Sequence, residues 1–304
     1  MPALMSPLVL LKLVLWLVVV IVGTVLLRRR AVSSRVRIAF LVVGVLLFGF
    51  LFGVITPDGA LDPNPVFSVR SLVRGLVGAP PAGAPAAGAA APAGAARPGA
   101  GRNPAATIAP IAGMLVLLLG LVWASNKSVC GWACPLGLLQ DLLHRIALPK
   151  WKPPSWLSNT VRIVAFVALV AGLAIAGLDW IGLIDPFRIF GLDLSLAVGL
   201  FGLLLAVTSL FTYRPWCQFL CPFGLLGWVV EQFSLMRPRI NRDACRDCRL
   251  CVKACPGNAM ADIYAGKRIH ADCYACGACL EACPHADALQ WRTASPSDRA
   301  EHAS

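Results

Sequence analysis

The stretch from residue 245 to 283 constrains this chain more than any other. It reads Cys245-x2-Cys248-x2-Cys251-x3-Cys255-Pro256, then Cys273-x2-Cys276-x2-Cys279-x3-Cys283-Pro284. Three closely spaced cysteines on one loop reach three corners of an iron–sulfur cube, and a remote cysteine supplies the fourth. In the two-cluster arrangement the last cysteine of each run ligates the other cluster. The spacing therefore assigns Cys245, Cys248, Cys251 and Cys283 to one [4Fe–4S] cluster. It assigns Cys273, Cys276, Cys279 and Cys255 to a second. Zinc sites are built from paired CxxC units, a pattern that this doubled run does not follow.

Everything ahead of these cysteines is greasy. Of 304 residues 58% are hydrophobic and only 14% charged, too apolar for a soluble domain of this size. The net charge of +12 then reads as basic loops beside membrane spans, and no nucleic-acid partner is expected. All 12 cysteines fall in CxxC or CxxxC spacings, which in a reducing compartment signify metal rather than disulfides. His144, His270, His285 and His302 all lie outside the apolar runs, which argues against a haem held by histidines within the bilayer.

In chain order, residues 1–37 read as an N-terminal anchor span, 8 to 27, and a basic loop holding Arg28, Arg29 and Arg30. The charges follow the apolar run instead of preceding it, unlike a signal peptide. Residues 38–236 read as a membrane domain with further spans near 38–55, 108–124, 161–183 and 194–212, about five in all. Between them, Gly78 to Gly101 is almost wholly Ala, Pro and Gly, the composition of a flexible external tether. Residues 237–292 hold the cluster cysteines, and 293–304 read as a disordered tail. The fold class expected is mainly α: a polytopic helical membrane domain with an internal repeat, plus a small C-terminal α+β two-cluster ferredoxin-like domain. Excess Lys and Arg in the loops 28–37 and 125–160 and around the clusters places that side in the cytoplasm.

The internal repeat is explicit. Lys127-x2-Cys130-x3-Cys134-Pro135-Leu136-Gly137 aligns with Arg214-x2-Cys217-x3-Cys221-Pro222-Phe223-Gly224, 87 residues on. One outward and one inward span separate the motifs, so both reach the same face, and a parallel repeat axis brings them together. Cys130, Cys134, Cys217 and Cys221 have three readings: an additional metal centre shared between repeats, a redox-active dithiol in each motif, or buried cysteines packing at helix starts, with Pro fixing the turn.

CxxxCP-[LF]-G-L-L twice after membrane spans, followed by two ferredoxin-type runs, resembles the NapH/MauN family of membrane ferredoxin-type proteins. It is also similar to the membrane cores of NosR-type and CcoG-type proteins. The resemblance covers about residues 38 to 292. It implies membrane-bound electron transfer in the bacterial inner membrane: the membrane subunit of a quinol dehydrogenase, drawing on the quinone pool and passing electrons toward a periplasmic or membrane redox partner, a separate iron–sulfur or cytochrome protein. A second class is an iron–sulfur accessory protein that supplies electrons for, or senses, maturation of a metalloenzyme. Quinol oxidation also needs proton acceptors. Asp179, Asp185 and Asp193 on the external side, and Asp141, Glu231 and His144 on the internal side, are the acids and base near span ends. Trp132, Trp180, Trp216 and Trp228 are the tryptophans placed to line a quinone pocket or the interfacial belt.

Overall fold

A computed structural model describes residues 7–56, 63–78, 104–192 and 195–293. Asp193, nearly all of the Ala/Pro/Gly stretch and the tail with His302 lie outside the described residues. Four helices are long and apolar enough to cross a membrane: α1 (Pro7–Arg28), α2 (Ser34–Ile55), α4 from Ile108 to Ser125, and α6 (Ser155–Ala176). The expected fifth span is α7 (Leu196–Phe211), apolar but only 16 residues long. At 1.5 Å per residue it is about 24 Å long, short of the roughly 30 Å hydrocarbon core. Helix α6 starts six residues before the expected span. Its third turn carries Arg162, which is buried and ion-paired with Asp272. Gly177, left-handed at φ 63°, ends it, because only a residue without Cβ turns the chain there cheaply.

The segment just before the expected tether forms a helix. In α3 (Pro65–Leu76), Asn64 caps the first turn by accepting from the Val66 and Phe67 amides, with Pro65 in the first helical position. One face buries Val66 and Val69. The other sends Arg70 to Asp179 (2.9 Å) and Asp185 (2.8 Å), and Arg74 to Asp179 (2.6 Å). Asp179 and Asp185 also cap the short turns that follow them. Both acids thus fasten α3 to the 179–190 turn.

Each CxxxCP motif forms a re-entrant hairpin. The chain leaves the end of α4 (Pro104–Ser125), goes inward through one π-helical turn (Val129–Ala133), and returns as α5 (Pro135–His144). The second copy leaves α7, enters through Trp216–Leu220 and returns as α8 (Pro222–Glu231). Helices α2 and α5 run antiparallel, side by side. Arg145 donates to Ser34 Oγ (3.2 Å) at one end. At the other, a methyl at Gly49 would lie 3.4 Å from the Pro135 side chain. Fifteen residues of α2 separate these contacts, about 20 Å of helix. The tip with Cys134 and Pro135 therefore lies deep in the helical bundle, whereas the sequence placed these motifs at the bilayer surface.

The C-terminal region is framed by an antiparallel pair, β1 (Met236–Ile240) and β2 (Leu289–Thr293), with Pro238 opposite Trp291. Short helices Leu250–Ala254, Ala259–Tyr264 and Ala278–Ala282 follow the cysteine loops. This region sits on the end of the bundle where α1 finishes. Arg30 donates to the carbonyls of Leu280 (2.7 Å), Cys283 (2.7 Å), His285 (3.0 Å) and Leu289 (3.2 Å).

Candidate metal centres

The structure gathers the cysteines into three sets. Cys251 lies within electrostatic range of Cys283, Cys245 and Cys248. Cys279 does so with Cys276, Cys273 and Cys255. In the membrane domain Cys130 is similarly close to Cys134, Cys217 and Cys221, so the repeat brings its four thiols together. Among the described residues no group of three metal-binding side chains is drawn in tightly enough for a single ion, whose bonds to sulfur would be about 2.3 Å.

The backbone around the first two sets suits an anionic, thiolate-rich cube. Asp247 and Arg249 in one loop, and Ala275 and Gly277 at the same positions of the other, all have φ between 52° and 82°. Alternating right- and left-handed residues turn successive amides toward one point, the concavity in which iron–sulfur sites are found. Few non-glycine residues adopt such angles, so the repeated occurrence fits two loops shaped around a group. The membrane-domain set is walled by Trp216, Leu138 and Tyr274. The Tyr274 hydroxyl is buried and has no hydrogen-bond partner within the protein, and it lies in electrostatic range of Cys217. An orphaned hydroxyl beside converging thiols fits a centre with acceptor atoms of its own.

The second and third sets abut. Gly131, between Cys130 and Cys134, packs on the Tyr274 carbonyl so closely that any side chain there would displace it. Trp132 Nε1 donates to the Ala275 carbonyl (2.9 Å). The Tyr274 ring lies near both repeat cations, with Lys127 Nζ 5.3 Å and the Arg214 guanidinium carbon 5.0 Å from its centroid. Trp132, Trp216 and Trp228 are thus packing residues: the first two are fully buried, and Trp228 donates to the His270 carbonyl (3.0 Å).

Sequence reading missed the role of the two cations. Lys127 and Arg214 are fully buried, and each reaches into the other repeat. Lys127 meets the Gly224 carbonyl (3.3 Å) and Glu231 (3.4 Å). Arg214 meets the Cys130 carbonyl and Asp141 (3.0 Å). Asp141 also takes Arg37 (2.8 Å) and the Tyr213 hydroxyl (3.0 Å). Burial pushes the Asp141 carboxyl up, and Arg37 with Arg214 more than offsets this, holding it well below the usual range. Lys127 also pairs with Asp272, whose other partner is Arg162 (3.0 Å). Burial opposes the charged form of Asp272, and the two cations outweigh it, so its carboxyl lies below the usual range. Glu231 accepts the Cys273 amide (3.2 Å), and burial drives its carboxyl upward. A basic residue three positions before each motif, with an acid 14 or 17 residues later, was the signal available.

Comparison with known proteins agrees with this geometry. A family described as a 4Fe-4S binding domain matches residues 107–154 and 194–242, one around each CxxxCP motif. A 4Fe-4S dicluster domain matches residues 237–284. The YccM protein of Escherichia coli is 28% identical over 61% of this chain and 57% of its own. The ferredoxin-type protein NapH of Haemophilus influenzae is 27% identical over 57% of this chain and 65% of its own. The regulatory protein NosR of Pseudomonas aeruginosa is 29% identical over 52% of this chain and 24% of its own. The chain thus spans less than two thirds of each of these relatives. Two methylamine utilization ferredoxin-type MauN proteins also match. No solved structure matches. The resemblance to NapH/MauN-like proteins holds: the chain carries 4Fe-4S-type domains behind helices long and apolar enough to cross a membrane.

Proposed function

We propose that this NapH/MauN-like chain is the membrane subunit of a quinol dehydrogenase, passing electrons from quinol toward a periplasmic or membrane redox partner. The observation that carries the reading is the alignment of three cysteine sets. Cys130, Cys134, Cys217 and Cys221 lie inside the bundle. Cys273, Cys276, Cys279 and Cys255 are stacked on them through Tyr274, and Cys245, Cys248, Cys251 and Cys283 lie beyond, with Cys251 in range of Cys279. Each set would hold one [4Fe–4S] cluster, and such clusters supply one-electron transfer when bound. The chain's own residues prepare these sites. Lys127 and Arg214 bring positive charge beside the inner thiols, the turned amides of both loops face the outer ones, and buried Trp132 and Trp216 exclude water.

The orientation we favour puts the outer two sets in the cytoplasm. Arg28, Arg29, Arg30, Arg35, Lys150 and Lys152 all lie at that end of the bundle, as the positive-inside rule requires. Arg70 and Arg74, at the opposite end, are paired with Asp179 and Asp185, so their charge is offset locally. The membrane is the bacterial inner membrane. The partner is a separate iron–sulfur or cytochrome protein.

The test mixes the purified full-length protein with decylubiquinol and follows the paramagnetic signal of reduced clusters at low temperature. Signal growth is expected. No reduction by ubiquinol or menaquinol analogues, with iron content intact, rejects the dehydrogenase reading in favour of an accessory or maturation role.

A further inference from the structure

A cavity of about 360 Å³ lies between α1, α2 and the 186–191 turn, within the range of small-molecule sites. Its walls carry Phe48, Phe187 and Phe190, and its polar lining comprises Lys12, Trp16, Thr56, Asn64 and Arg188. Pro135, the residue after Cys134, closes its inner end. The cavity belongs to the half of the bundle away from the cluster cysteines. Lys12 lies 18 residues before Arg30, about 27 Å along α1 from the point where that helix meets the C-terminal region.

The polar groups are placed for a ligand. Lys12 lies in a membrane-spanning helix and is only 7% exposed. Its neighbours Leu10, Leu11 and Val14 face outward, so the amine points into the protein and does not snorkel to the interface. Lys12 donates to Thr56 Oγ1 (3.2 Å), which donates to the Phe52 carbonyl (2.6 Å). One turn along α1, Trp16 is 1% exposed, and its Nε1 has no hydrogen-bond partner within the protein. An indole N–H left unpaired in an apolar wall carries the desolvation penalty of an unmade hydrogen bond. A lipid acyl chain offers no acceptor to relieve it.

We infer that this cavity is the binding site for a quinone headgroup. Trp16 Nε1 donates to a ring oxygen, with Lys12 and Thr56 beside it, and the three phenylalanines pack on the ring. A ring in this position touches Pro135 and so lies next to the inner thiols. The inference rests on the quinol reading above and adds its location, which differs from the tryptophans that the sequence offered.

The test uses full-length protein in quinone-free phosphatidylcholine nanodiscs, with decylubiquinone and menadione as probes in calorimetric titrations. Wild type binds one of them. Trp16→Phe keeps the ring and removes the N–H, weakening binding about fivefold, the value of one hydrogen bond. Lys12→Met weakens it by a similar factor, and Trp156→Phe, on an exposed residue remote from the cavity, changes nothing. Iron content per chain checks that each variant is folded, and Trp16→Phe decides alone if Lys12→Met does not assemble. Unchanged affinity in Trp16→Phe, with wild type binding, overturns this site and leaves the quinol reading standing. No binding of either probe to wild type, with iron intact, overturns both.

Discussion

The two CxxxCP hairpins share a scaffold and differ in what their acids hold. Around the first hairpin, Asp141 collects Arg37, Arg214 and Tyr213, all from the membrane domain. Around the second, the acid that Lys127 and Arg162 both reach is Asp272, one residue before a cluster cysteine. Both hairpins lean on the C-terminal region, but the acid paired at the first belongs to the membrane domain and the acid paired at the second to the C-terminal region. An internal duplication yields two equal sites, and tying one of them to the cluster loop fixes where the relay enters the bundle.

The sharpest way to break the comparison is through iron. If both hairpins hold one shared centre, Cys134→Ser and Cys221→Ser each lower iron from about twelve to about eight atoms per chain, the loss of one four-iron cluster. Unchanged iron in both would make the hairpins separate dithiols or packing elements. A smaller effect separates the two acids. Asp141→Asn leaves Arg37 and Arg214 buried without their charge partner, at a cost of about 3 to 5 kcal/mol, read as a lowered unfolding midpoint of the membrane domain. Asp272→Asn falls at the low end of that range, because Glu231 remains 3.4 Å from Lys127. Its mark is local: limited proteolysis after residue 236 becomes faster while the membrane domain keeps its midpoint. Equal global loss in both variants would erase the distinction.

The smallest effect concerns pH. The Asp141 carboxyl is depressed in the folded state, so its stabilisation is fully present above the unfolded value of about 3.9 and is lost as pH falls through the lower folded value. The difference in midpoint between wild type and Asp141→Asn should stay constant from pH 8 to 5. A difference that shrinks across this window would show that Asp141 is not held by its arginines.

Sequence reading recovered what depends on local spacing. The family matches fall on the cysteine motifs, and four of the spans follow from unbroken apolar runs. The depth of the hairpins was hidden, because α5 and α8 are ten residues each and their course is set by distant elements, α2 for the first and α4 and α6 for the second. Lys127 and Arg214 looked like interfacial charges for the same reason: the acids that permit their burial lie in other elements. Helix α3 was obscured by the Ala/Pro/Gly composition that follows it, although Asn64-Pro65 carries both a cap and a helix-starting proline. Trp16 looked like one more apolar residue in an apolar run, and only the packing of α1 against α2 shows that its N–H is left unpaired.

Arg30 has a consequence for how the molecule is made. It follows α1, yet it clasps carbonyls some 250 residues further along the chain, at residues 280 to 289. Contacts so distant along the chain close late and slowly. Helix α1 must wait, inserted but unclasped, until β2 has been synthesised and the cysteine loops have taken shape. Cluster insertion would then precede the final locking of the bundle, and a chain that received no iron would be left with α1 and the cysteine loops unjoined, a form that a quality-control protease could recognise.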